Sequence, residues 1–325
     1  MNASLVPEYI LPDVLPLSYI VSAGINIIAI IPNIYFVIRT ITYKSFKNRL
    51  TFYWMTLIMS IEYTIGICSH LSLVFYFFYY YLTKNLFYLD TCSKMEAIDF
   101  DFRYIINVTP LYFTVSRYYT TIKQKSVNSM VLMIIISLTM IPLIYNTIIK
   151  FLGIKKLYTQ YIICEYQIIS SVQFYEIFQI FTNFQILFVP FITIIINYII
   201  YIYIKKKKIK SNNVNANKEH KILFKSLTIQ VFFPYLCQFP GFIYFFYFKY
   251  TKKKQQYFEA ISVFIYHIGE ASCTFLSLYV IKEFKKMMAN DFYLIKYKLF
   301  LFINSNKKES SNLKTVTSAK STRNN

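Results

Sequence analysis

Seven side chains that carry charge or bind through it stand inside otherwise apolar stretches: Glu62, His70, Asp99, Asp101, Arg103, His267 and Glu270. Such groups are costly in hydrocarbon, so they must face protein, water or one another. Their chemistry is recognition by charge and hydrogen bonding rather than bond making. The chain has no HExxH, no Gly-Asp protease pair and no nucleophile elbow, and an enzyme is not expected. Its five cysteines lack zinc-ligand spacing, and five glycines are too few for phosphate-cradling loops, so neither metal nor cofactor is expected. Asp99 and Arg103, four residues apart, share one face of a helix. A ligand contact there competes with an internal network of Asp99, Asp101 and Arg103 holding helices together. His267 and Glu270, three residues apart, pose the same choice between ligand and structure.

The elements that must position these residues are long and hydrophobic. Of 325 residues, 56% are hydrophobic and 15% charged, and mean hydropathy is +0.41, with the apolar residues in long runs. This is the composition of a polytopic membrane protein. A net charge of +20 would point to nucleic acid in a soluble chain, but the lysines fall mainly between and after the apolar runs, as in cytoplasmic loops. No nucleic-acid partner is expected. The 32 Phe and 32 Tyr accompany abundant Ile, Asn and Lys, which share A/T-rich codons, so a tyrosine stripe here is weak support for a site.

Seven spans are expected, at about 17–38, 51–80, 92–118, 129–149, 176–204, 222–248 and 257–281. Residues 1–16 precede them without a basic, cleavable leader. Asn2-Ala3-Ser4 is a glycosylation sequon, usable if this end is lumenal. The loop at 205–221 reads as polar and mobile, KEFKKMM as a short interfacial helix closing the region at 286, and 287–325 as a polar tail. Lys and Arg concentrate after spans one, three, five and seven. The N-terminus is therefore expected outside and the C-terminus in the cytoplasm, although Lys249, Lys252, Lys253 and Lys254 oppose this. The fold class is an all-α seven-transmembrane helix bundle. Cys92 at the outer end of span three and Cys164 in the loop after span four then lie in an oxidising compartment, where a disulfide persists. Cys92 and Arg117 are separated by roughly 37 Å of helix, a bilayer core plus part of its interfaces.

This pair of cysteines, with Ser116-Arg117-Tyr118 at the inner end of span three, resembles the rhodopsin-like G-protein-coupled receptors. Pro190 with Tyr198, and Cys237-Gln238-Phe239-Pro240, are similar to that family's motifs in spans five and six; Glu62 lies near its span-two acid. A closer resemblance is to nematode serpentine chemoreceptors of the Str/Srh type. It rests on IPNIYFVIRTITYKSFKNRLTFYWMTLIMSIEY, on FKSLTIQVFFPYLCQFPGFIY and on HIGEASCTFLSLYVIKEF, and covers residues 17–286. Two departures stand out: Ser116 replaces the acid that would restrain Arg117, and the residues before Tyr279 lack Asn-Pro.

The resemblance implies a chemosensory receptor at the plasma membrane, in a sensory cilium if it serves chemosensation. A small extracellular cue would bind near Asp99, Arg103, His267 and Glu270. Pro190, Pro234 and Pro240 would let spans five and six bend. Arg117, Tyr118 and Tyr198 would face a heterotrimeric G protein, and a disulfide would join Cys92 to Cys164. The alternative is a seven-span ligand-gated channel or transporter. A retinal protein is excluded by the absence of lysine from 257–281.

Overall fold

The computed structural model of the chain describes residues 9–11, 15–43, 50–152, 156–158, 166–168, 172–208, 214–251, 253, 255–280, 284–298 and 300. Asn2, Cys164 and 301–325 lie outside them. The chain divides into two compact units, Met1–Phe275 and Leu276–Asn325.

Seven long helices make up the described part of the first unit. They are α1 Leu17–Thr42, α2 Leu50–Thr83, α3 Leu89–Tyr118, α4 Ser129–Leu152, α5 Tyr175–Lys208, α6 Val214–Thr251 and α7 Gln256–Val280, the last running into the second unit. They fall where the apolar runs place them. Stretches of α1, α2, α4, α5 and α6 are long and apolar enough to cross a membrane. Helix α3 is not among the five, because Asp90, Lys94, Glu96, Asp99, Asp101 and Arg103 crowd its first half. Short antiparallel pairings accompany the helices: β1 Tyr9–Ile10 with β2 Phe87–Tyr88, and β3 Lys156–Tyr158 with β4 Tyr166–Ile168. The β1–β2 register, Tyr9 on Tyr88, ties the chain's beginning to the start of α3.

Two stretches are more helical than expected. Helix α5 continues through Lys208 and α6 begins at Val214, so most of the 205–221 loop is helical. Lys, Ala and Glu are good helix formers, and a polar sequence extends a helix well once an apolar segment has nucleated it. In the second unit, 284–298 is helical, carrying the expected interfacial helix into the stretch read as tail; Phe284 and Met287 are buried there, and Lys285 and Lys286 are exposed.

Helix α3 is the centre of the first unit and packs on α2, α4, α5 and α6. The arrangement is polar inside and apolar outside. Along α4, Leu138 is 59% exposed and Ile134, Ile141, Ile144 and Ile148 are also exposed, whereas Thr139 and Asn146 are buried. Water disfavours such a surface and hydrocarbon does not.

The prolines create bonding opportunities as well as bends. Pro142 cannot donate to the carbonyl four residues earlier, Leu138, and Gln185 Nε2 of α5 donates to that oxygen at 2.9 Å. Gln185 Oε1 in turn accepts from the Tyr104 hydroxyl of α3, which also lies 2.8 Å from the Thr139 carbonyl. A helix-breaking residue thus stitches three helices together.

Helices α6 and α7 approach closely because Gly269 has no side chain. A Cβ at Gly269 would lie 2.4 Å from Cys237 Cβ and 2.8 Å from Cys237 Sγ. Gly269→Ala is therefore expected to destabilise the protein by about 1–3 kcal/mol, the usual penalty for overpacking. Cys237→Ala should not rescue it, since the clashing Cβ remains, whereas Cys237→Gly should. Thermal unfolding of the detergent-solubilised variants checks this; a Gly269→Ala protein as stable as the parent would show that the two helices are not in close contact.

Candidate functional site

The charged residues of α3 do not act as one group. Asp99 and Asp101 are two positions apart, about 200° around the helix, and they face different neighbours. Asp101 Oδ2 accepts from Thr147 Oγ1 of α4 at 2.7 Å. Asp99 points the other way, toward α2 and α7, and is 1% exposed. The network of Asp99, Asp101 and Arg103 that the sequence offered as the alternative to a ligand contact is therefore divided in two.

Asp99 is held by two donors. Arg103 Nη2 lies 2.8 Å from Asp99 Oδ2, one helical turn away on the same face. The same carboxylate oxygen is 3.1 Å from His70 Nδ1 of α2. An isolated carboxylate buried this deeply would be unstable; a guanidinium and an imidazole N–H make its burial tolerable.

Helix α7 completes the cluster. The His267 ring packs against His70 with centroids 4.4 Å apart and the planes tilted by 43°, and His267 Nδ1 lies 3.5 Å from Glu270 Oε2. Tyr266 donates its hydroxyl to Glu270 Oε1, and its ring lies 6.0 Å from Arg103 Cζ. From α1, the Asn26 amide reaches His267 Nδ1 at 3.2 Å. All four residues expected at a ligand site, Asp99, Arg103, His267 and Glu270, therefore line one cavity, together with His70, Asn26 and Tyr63. The space left is about 10 Å³, roughly that needed by a single water.

Above the cluster, toward Cys92, buried Leu73, Phe77, Phe87, Leu89 and Cys92 form an apolar plug with Tyr19 packed on it. Tyr19 meets Phe77 edge-on at 5.3 Å. Below it, Gln238 Nε2 of α6 donates to Asn107 Oδ1 at 2.8 Å, and Asn107 Nδ2 donates to the Arg103 carbonyl at 2.8 Å. Gln238 lies between Pro234 and Pro240, so the part of α6 most able to bend is bonded to the turn of α3 that carries Arg103. Helix α5 carries Pro190 without interruption. Glu62 is separate, accepting from Thr109 Oγ1 at 2.7 Å about 12 Å along α2 from His70.

At the other end of α3, Arg117 is 3% exposed and its Nη1 donates to Asn197 Oδ1 of α5 at 2.8 Å. Asn197 Nδ2 continues to Thr228 Oγ1 of α6 at 3.3 Å. Tyr198, expected to face a G protein, is 57% exposed, because adjacent residues on a helix point about 100° apart. Tyr118 is half-buried beside Tyr119. Cys92 is fully buried and stands apart from the free thiols Cys68, Cys237 and Cys273.

Sequence reasoning placed His70 in a span without assigning it to the site, and missed Asn26, Tyr63, Tyr266 and Asn197. The available signal was their polarity within apolar helices, but Asn33 carries the same signal and donates to its own helix, at the Ala29 carbonyl. No model of a known protein family and no curated protein matches the chain.

Proposed function

We propose that this chain is a chemosensory G-protein-coupled receptor of seven membrane spans, with its N-terminus outside and its C-terminus cytoplasmic. The observation that carries the reading is the division of α3: a buried charged cluster from α1, α2, α3 and α7 near Cys92, and a buried arginine tied to α5 and α6 at the opposite end. Five helices of spanning length, an apolar exterior and the Lys/Arg bias of alternate loops support the membrane placement. In this reading the plasma membrane, in a sensory cilium, is the location. Cys92 pairs with Cys164 across the outer face, and Asn2 is exposed to glycosylation.

A small extracellular cue displaces the aromatic plug and engages Asp99 with Arg103, His267 and Glu270. Ligand binding shifts the equilibrium only through its differential affinity for two states of the bundle. The second state is one in which α5 and α6, bending at Pro190, Pro234 and Pro240, part at their inner ends. Arg117, Tyr118 and Tyr198 then meet a heterotrimeric G protein. Before that, Asn197, itself bonded to Thr228, holds Arg117 through a neutral amide acceptor, in place of the acid that Ser116 replaces. Charge-assisted bonds of this kind contribute about 1.5–3 kcal/mol, enough to hold a resting state yet weak enough to be reversed by a ligand.

Cells expressing the chain, exposed to pooled volatile and water-soluble chemicals while G-protein activation and membrane current are recorded, test the proposal. A response that vanishes without Gα is expected; a fast current that survives without Gα would make the chain a ligand-gated channel. With an agonist in hand, Asp99→Asn should lower potency about tenfold or more at unchanged surface expression, the loss of a charged partner. Unchanged potency removes Asp99 from the ligand site. Arg117→Ala should abolish nucleotide exchange while ligand binding persists, and retained exchange would deny it a coupling role. Asn197→Ala should raise ligand-independent exchange several-fold; an unaltered basal level would mean that the tie to α5 does not restrain Arg117.

A further inference from the structure

The paired histidines have a property that ligand recognition does not require. The cluster sets two carboxylates, Asp99 and Glu270, against one guanidinium, Arg103, so with both imidazoles neutral it carries one uncompensated negative charge. Charge of that kind, buried among four helices, draws in a cation. The free space has room for about one water. A proton needs no more room than that.

The nitrogens are arranged to take it. Neutral His70 donates Nδ1–H to Asp99 Oδ2, which leaves Nε2 with its lone pair; that atom is buried and has no hydrogen-bond partner. His70 is more than nine-tenths buried and lines the cavity. His267 Nδ1 sits between two alternatives, 3.2 Å from the Asn26 amide and 3.5 Å from Glu270 Oε2. Neutral, it accepts from Asn26; protonated, it donates to Glu270 and the bond from α1 is lost. Asp99 Oδ1, also buried without a partner, faces the same space.

We infer that the His70–His267 pair is a binding site for a single proton. The first proton neutralises the cluster. A second is opposed by the other ring 4.4 Å away and by Arg103. Other titratable and polar groups face the pair. Helix α1 contributes Asn26 and the Tyr19 phenol, and α2 adds the Tyr63 phenol. Helix α3 adds Glu96, which acts on Arg103 and Tyr19 and favours uptake of the first proton. Helix α6 brings the Cys237 thiol, and α7 brings the Tyr266 phenol and the Cys273 thiol, all uncharged near neutral pH. A proton on His267 removes the Asn26 bond between α1 and α7, leaving that of Ser18 to Glu259, and one on His70 does not, so the site couples protonation to one contact between those helices. The consequence for signalling rests on the receptor reading; the stoichiometry does not.

The chain has three histidines, His70, His220 and His267, which makes the test direct. The full-length protein carrying His220→Gln, isotope-labelled at histidine and placed in lipid nanodiscs, is titrated by NMR from about pH 9 to about pH 5. One imidazolium per chain is expected at the acid limit, and neither or both rings protonated there would overturn the inference. In His70→Gln and in His267→Gln the remaining ring should take the proton, so that one imidazolium per chain is again found at the acid limit. A remaining ring that stays neutral there would also overturn it. The count in the two-histidine protein decides the matter if either variant fails to fold. A negative result here leaves the Gα-dependent response untouched, and loss of that response leaves the proton count untouched.

Discussion

The constraint on which the structure turns is the burial of Asp99. A carboxylate 1% exposed in the middle of a helical bundle has to be matched where it stands, and Arg103 and His70 both reach the same oxygen. That requirement fixes the rotation of α3, since Asp99 and Arg103 must face α2 and α7. It also fixes the height at which α2 meets α3, where Gly66 allows a close approach to Ile106. The rest of the cluster follows, because His70 in turn packs on His267 and His267 engages Asn26 and Glu270.

With α3 oriented in this way, its remaining faces are assigned. Asp101 turns to Thr147 of α4, Tyr104 to the Gln185 amide of α5, and Asn107 to Gln238 of α6. Each joins α3 to a different helix through a polar side chain. In an apolar exterior medium these bonds are where specificity resides, because hydrocarbon contacts between helices discriminate poorly among alternative packings. The proline in α4 belongs to the same economy of bonding, its orphaned carbonyl supplying the acceptor for Gln185.

The two ends of α3 then carry different chemistry. Near Cys92 the cluster contains acids, a base and imidazoles, and it is tightly closed; near Tyr118 a single buried guanidinium rests on an amide that itself donates to a hydroxyl. Under the receptor reading this is a sensing end and a coupling end on one rigid element. The Gln238–Asn107–Arg103 chain connects the sensing end to α6 between its two prolines, and the Asn197–Thr228 pair is the contact that a moving α6 would break.

The sequence by itself determined the helices, because runs of apolar residues long enough for a bilayer leave the backbone no other way to satisfy its own hydrogen bonds. It also marked Asp99, Arg103, His267 and Glu270, since charge within such runs is too costly to be incidental. It could not determine which charges share a face with which helix. Asp99 and Asp101 look equivalent in sequence and are separated by 200° of rotation, and nothing in the sequence marks Asn197 as the partner of Arg117. The helical ends at Lys208 and Val214 were hidden too, because a polar sequence records only a weak preference and adopts the helix that its apolar continuation begins. Rotation, register and the meeting of His70 with His267 are set by packing between helices far apart in the chain, and only the tertiary structure decided them.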